Sequence, residues 1–290
     1  MLLLALDVDV LPWSLAAIGV GLIVWCWPKL RGTTLIAPAI WATIALAAMA
    51  LGEDLLTPGD QSPEVLRESI LRYLVGITSF CPAMALFGAK RPQNRAWQFI
   101  VLTLWIVLSL PALHAWMFGS GQGFSIHAAQ SWFLLILLTM TAANYPPTRF
   151  AVSSLIFTIA QLLLLREFLP LATWIPHAAD MSLPLAVLAL SLVSLGWPKR
   201  KTVASPLDRL WLDFRDAFGV VWGLRVQQRV NQSAAMYQWK LRLDWHGFTP
   251  FENATISPDI EKAVRDHLSN LLRRFVSPSW IAERLGTPLN

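Results

Sequence analysis

Charge is what this chain has least of. Only 14% of its 290 residues are Asp, Glu, Lys or Arg, against about 25% in soluble domains. The shortage is uneven. Residues 202–290 hold 11 of the 23 Lys+Arg and 9 of the 18 Asp+Glu. The part before them is therefore too apolar to be a water-soluble domain. Cysteine is nearly absent, with only Cys26 and Cys81. No CxxC or CxxCH is present, which removes a thioredoxin-type site and c-type haem attachment. There is also no Walker loop, GxGxxG, HExxH or nucleophile elbow. The first residues, Met1 to Leu6, lack a basic stretch and are followed by Asp7 and Asp9. They read as retained rather than as a cleaved signal peptide.

Long apolar runs take the place of charge. A spanning helix needs about 20 apolar residues. Seven segments come near that length: 11–27, 33–51, 73–88, 97–118, 128–145, 150–165 and 181–197. The third is short, and a helix starting near Pro63 lengthens it. None of the seven has Asp, Glu, Lys or Arg at its centre, which argues against ion-coupled transport. Pro38, Pro82 and Pro111 fall within apolar segments, where a proline frees a backbone carbonyl. Fifteen Trp are present, many of them where apolar runs end, as an aromatic belt places them.

Basic residues set the orientation. With the N-terminus outside, the inner flanks carry Lys29, Arg31, Lys90, Arg91, Arg95, Arg149, Lys199, Arg200 and Lys201. The outer side carries only Arg67, Arg72 and Arg166, among nine acids. That asymmetry is the positive-inside bias. The stretch Trp197-Pro198-Lys199-Arg200-Lys201 marks the last inner flank. The expected fold is a polytopic α-helical membrane protein with seven crossings, N-terminus out and C-terminus in. Residues 1–201 form the bundle, and 202–290 form a small cytosolic α+β domain. The excess of positive charge belongs to these flanks, so nucleic acid is not an expected partner.

The last 89 residues follow soluble patterning. Ser205-Pro206-Leu207-Asp208 reads as a helix start, with Asp208 at the capping-box position. Apolar residues recur at helical spacing from Leu207 to Val221, and the pattern fades near Asn231. Within it, Gly219 and Gly223 form a GxxxG, a place for another element to cross. Residues 239–245 alternate apolar and charged, the mark of a half-buried strand. His246-Gly247 reads as the turn and 251–256 as the hairpin partner. Ser257-Pro258 and Ser277-Pro278 start two further helices, the last ending at Gly286.

Function is read from what can be brought together. His114, His127 and His177 all fall on the outer side, where imidazoles could bind metal or haem, although their spacing matches no motif. No cofactor is expected. Lys240 and Arg242 lie on a strand whose outer edge is expected to stay open for a partner strand. Three readings follow. The first is a non-enzymatic scaffold or complex subunit of the cytoplasmic membrane, whose cytosolic domain binds a protein. The second is a permease or channel component. The third is a membrane enzyme or metal- or haem-handling protein using the outer histidines. The topology is checked by cysteine labelling in intact cells. A Cys at Gly121 reacts with an impermeant reagent, and a Cys at Ser233 does not; reaction at Ser233 overturns the orientation.

Overall fold

The computed structural model describes residues 10–55, 64–118, 124–170, 179–199, 205–251 and 257–286. It is mostly helical, with one two-stranded sheet near the C-terminus. Helices α1 (Val10–Leu30) and α2 (Ile36–Leu55) form an antiparallel pair. The expected third segment is two helices, α3 (Glu64–Thr78) and α4 (Cys81–Phe87), broken at Ser79-Phe80. Helices α5 (Asn94–Phe118), α6 (Ala128–Ala143), α7 (Ala151–Leu165) and α8 (Ser182–Ser194) complete the bundle.

Five helical stretches are long and apolar enough to cross a membrane: Val10–Leu30, Ile36–Glu53, Leu66–Phe87, Asn94–Phe118 and Ala151–Phe168. Ala128–Ala143 and Ser182–Ser194 are apolar but shorter. At about 1.5 Å per residue they reach about 24 and 20 Å, less than the roughly 30 Å hydrocarbon core. The α3–α4 stretch is 61% buried while α1 and α5 are 17% buried. Thus α3–α4 is the central post, and α1 and α5 turn Val24, Trp25, Phe99 and Ile100 outward. Around the post, Tyr73 meets Phe124 and Phe168 edge-on and donates to the Leu108 carbonyl at 2.7 Å.

Proline placement differs from the sequence expectation. Pro38 is in the first turn of α2 and Pro82 in the first turn of α4. A first-turn proline frees no intrahelical carbonyl, because its N–H had no partner there. Pro111 is within α5. The chain leaves α8 earlier than expected. Gly196 takes φ +67 and the Trp197 N–H closes on the Leu192 carbonyl at 2.9 Å. That left-handed stop ends the helix before Trp197.

The C-terminal unit begins with α9 (Pro206–Met236), longer than its apolar pattern suggested. Then come β1 (Leu241–Asp244), β2 (Gly247–Pro250), α10 (Pro258–Leu272) and α11 (Pro278–Leu285). The hairpin is tighter than expected. Asp244 pairs with Gly247, so Trp245-His246 is the loop and 247–250, not 251–256, is the partner strand. Residues 252–256 lie outside the described residues. The Ser-Pro helix starts hold: Ser257 accepts from Ile260 N–H and Ser277 from Trp280 N–H. Gly286 ends α11 at φ +68. Asp208, however, does not box the start of α9. Its Oδ1 accepts the Phe248 N–H at 2.7 Å and so fixes the hairpin to the helix. Burial pushes its carboxyl pKa up, against that hydrogen bond.

The unit is fused to one end of the bundle. Its core of Trp211, Phe214, Phe218, Trp222, Phe275 and Leu243 also takes in Leu86 of α4 and Ala89. The joint is a break inside α9. Gly219 has φ 74 and ψ −167, which only glycine adopts readily. A helix broken there exposes a carbonyl on one side and N–H groups on the other. The loop after α6 supplies both partners. Tyr145 Oη donates to the Ala217 carbonyl at 3.2 Å. The Val220 N–H reaches the Asn144 carbonyl at 2.8 Å, and the Val221 N–H reaches Asn144 Oδ1 at 3.2 Å. A Cβ on Gly219 would lie 2.7 Å from the Asn144 carbonyl oxygen. Gly219→Ala therefore adds backbone strain of about 1–3 kcal/mol to an overlap. We expect it to lower the melting temperature clearly more than Gly223→Ala, whose Cβ meets the Trp245 ring edge at 3.1 Å.

Candidate functional site

Next to the break at Gly219, charge is gathered and neutralised. Asp216 is 1% exposed and holds two arginines. Arg215 gives it Nε and Nη2 at 3.0 and 2.7 Å, and Arg149 lies 3.3 Å from its other oxygen. Arg215 Nη1 also donates to the Trp245 carbonyl at 2.6 Å, and Trp245 Nε1 donates to Pro147 at 2.7 Å. A buried carboxylate removed from water requires this degree of pairing. The arrangement is a joint, since Arg215 and Trp245 spend their side-chain donors on Asp216, on the Trp245 carbonyl and on the Pro147 carbonyl.

The surface that remains open lies beyond it, where α9 ends. Gln238 adopts φ 53 and the Trp239 N–H closes on the Ala234 carbonyl at 2.9 Å, turning the chain sharply into β1. The turn leaves an open groove of about 410 Å³ between α9 and the strand. Ala234 and Leu241 form its buried floor, and Lys240, Arg242 and Phe251 its exposed rim. Met236 and Tyr237 stand nearby at 74% and 61% exposure. Tyr237 stacks on Trp239 at 5.4 Å, and Trp239 meets His267 edge-on. Burial lowers the pKa of the His267 imidazole. Arg242 is engaged with Asp244 at 3.1 Å, while no ion pair involves Lys240 among the described residues.

The expected open edge of β1 is closed. Asn231 accepts the Leu243 N–H at 2.8 Å and donates to the Leu243 carbonyl at 2.9 Å, and Gln227 donates to the same carbonyl. These two side chains imitate a neighbouring strand. On β2, the Phe248 N–H is taken by Asp208 and Pro250 has no donor. Strand addition is thus blocked at Leu243 and discouraged on β2. Lys240 and Arg242 remain accessible, but as side chains on a groove. The sequence carried no signal for the groove, because the left-handed residue that makes it is Gln238 and not a glycine.

The histidines expected on the outer side are held in separate settings. His114 is on α5 and packs its ring 5.3 Å from Phe118. His127 precedes α6, where its N–H donates to Gln130 Oε1 at 3.1 Å, an N-terminal capping role. His177 lies outside the described residues. Among the described residues, no three His, Cys, Asp or Glu gather as a metal-binding group. Set beside known protein families, curated proteins and solved structures, the chain matches none. Replacing His127 and His177 together by Ala is expected to leave iron, zinc and copper content at the wild-type background. Stoichiometric metal lost in that variant would support the metal-handling reading.

Proposed function

We propose that the chain is an integral membrane scaffold or complex subunit whose inner-face unit binds a protein partner in the groove beside Lys240 and Arg242. The bundle crosses the cytoplasmic membrane seven times, with the N-terminus outside and the C-terminal unit in the cytosol. Support for seven crossings comes from the loops. Residues 31–34, 89–91 and 144–149 all bond to the C-terminal unit or to each other at one end. Helix α6 therefore reaches the same end as α1 and α4, despite its length. These loops carry only basic charge, which supports a cytosolic face.

One observation carries the partner reading. The groove combines an apolar floor, exposed aromatic and Met side chains and the Lys240 cation at its rim, on a unit hydrogen-bonded to the bundle. Exposed apolar area rimmed by polar groups marks interaction surfaces. Aromatic residues and Met are also enriched in such interfaces. The chemistry suits an amphipathic helix with acidic flanks.

A permease or channel component is the second reading. What favours it is buried polar atoms in the bundle without hydrogen-bond partners: Gln161 Oε1, Ser153 Oγ and Ser194 Oγ. Such groups normally find water.

The scaffold reading is tested by site-specific photo-crosslinking. A photoreactive residue at Gln238 captures one stoichiometric partner, while the same residue at Arg265, on α10, does not. Lys240→Glu lowers co-purification about tenfold or more, equivalent to about 1.4 kcal/mol, with an unchanged melting temperature. Failure of Gln238 to capture a defined partner, or full retention by Lys240→Glu, overturns it.

A further inference from the structure

A second exposed feature is purely cationic, and it lies where three separate chain segments meet. The Gly32 carbonyl accepts from the Ser277 N–H at 2.6 Å and from Arg91 Nη2 at 3.2 Å. The Arg91 N–H reaches the Arg274 carbonyl at 2.7 Å, and Thr33 bridges Val276. Gly32 has φ +78, and a Cβ there would lie 3.1 Å from Ser277 Cβ, so the close approach needs glycine. This junction gathers six exposed cations: Lys29, Arg31, Arg91, Arg95, Arg273 and Arg274. None is more than four residues from one of these hydrogen bonds. Residues 28–35, 88–97 and 271–279 contain no Asp or Glu. Among the described residues none of the six forms an ion pair. Asp266, exposed on α10, stands about 10 Å back along the helix from Arg273.

Like charges held together by backbone bonds repel, and among the described residues no acid pairs with them. The positive-inside bias accounts for the loop residues but not for Arg273 and Arg274. Those two arrive from a different unit, far along the chain from Arg91 and Arg95. The apolar surroundings identify the missing anion. Lys29 lies one turn beyond Trp25 and Val24 on α1, which are 58% and 62% exposed, with its Nζ 5.5 Å from the Trp25 ring. Arg95 lies one turn before Phe99 on α5, which is 72% exposed. Trp41 Nε1 donates to Gln98 at 2.9 Å and joins α2 to α5 beneath the junction. Lys29 and Arg95 thus sit one helical turn from outward-facing apolar surface on α1 and α5.

We infer that this junction binds anionic phospholipid of the leaflet around it, phosphate oxygens on the arginines and acyl chains along the exposed faces of α1 and α5. Guanidinium groups suit phosphate because they donate in pairs. Basic sites on the cytoplasmic side of membrane bundles recognise such headgroups by the same chemistry. The inference rests on the membrane-spanning helices and not on the partner groove, so either can fail alone. Bound lipid also bridges bundle and C-terminal unit, because Arg31 and Arg95 belong to one and Arg273 and Arg274 to the other.

The test uses the full chain in phosphatidylcholine nanodiscs, with and without phosphatidylglycerol as the probe. Phosphatidylglycerol is expected to raise the melting temperature by about 3 °C or more, the size of shift a saturating ligand gives. Arg273→Gln with Arg274→Gln loses at least half of that rise. Arg225→Gln with Arg229→Gln, cations on the exposed face of α9, keeps it. Arg91→Gln serves as the second variant should the first pair fold poorly, and it also reduces the rise. Glycerol phosphate, which lacks acyl chains, gives no shift. Equal melting in both discs, or an equal loss in the α9 control, overturns the inference. An equal shift with glycerol phosphate overturns the lipid assignment in favour of a free phosphate site.

Discussion

A helix cannot be interrupted inside a protein without finding partners for the groups it releases. In this chain the interruption is at Gly219, and the partners come from Asn144 and Tyr145, more than 70 residues earlier. Much else depends on this exchange. It fixes the direction in which α9 leaves the bundle. It brings Trp222 to where its indole N–H donates to the Leu86 carbonyl at 3.0 Å. It brings Arg149 to Asp216, so that a carboxylate within α9 is neutralised by the membrane-side loop. Neutral hydrogen bonds contribute only about 1 kcal/mol each. Their value here is directional: two halves of one helix are held by one loop, so bundle and unit cannot turn independently.

The coarse organisation was legible because it depends on composition and local chemistry. Apolar length marked the bundle, and Ser-Pro pairs with Gly286 marked the ends of α10 and α11. Five stretches meet the length and hydropathy of a crossing, and two fall short of it. Features set by distant partners were not legible. Asp208 has the spacing of a capping box, yet its oxygen serves Phe248, which folding places beside it. The alternation at 239–245 shows which faces are buried but not where pairing stops. A two-residue loop moved the partner strand to 247–250. The edge of β1 looked open because sequence alternation cannot reveal that Asn231 and Gln227 reach it from α9. Gly219 was flagged as a contact point within GxxxG, but nothing local distinguishes a packed glycine from a helix break.

Charge at the end of the bundle that meets the C-terminal unit divides into two kinds. Around Asp216 both arginines are matched to a buried carboxylate, Arg215 buried and Arg149 half-buried, which suits a permanent joint. Around Gly32 and Arg274 the cations are exposed, and the segments that bear them contain no acid. The same backbone principle builds both: a glycine with positive φ admits a neighbouring segment, and carbonyls and N–H groups close the gap. Only the first carries its own counter-charge. The two junctions therefore differ in their sensitivity to surroundings, since screening by salt weakens exposed charges far more than buried pairs.

Closing the strand edge also narrows how the proposed partner can be recognised. Edge pairing is driven by backbone bonds and is nearly blind to side chains. A groove with Ala234 and Leu241 at its base works the other way, because shape and the placement of a few apolar anchors decide what enters. Asn231 is central to this change. By satisfying both polar groups of Leu243, it removes the template for indiscriminate strand addition. By its position on α9 it also lines the groove. The same side chain thus closes one mode of association and shapes the other. That combination suits a membrane-anchored unit, where high local concentration would otherwise favour unselective pairing between exposed edges.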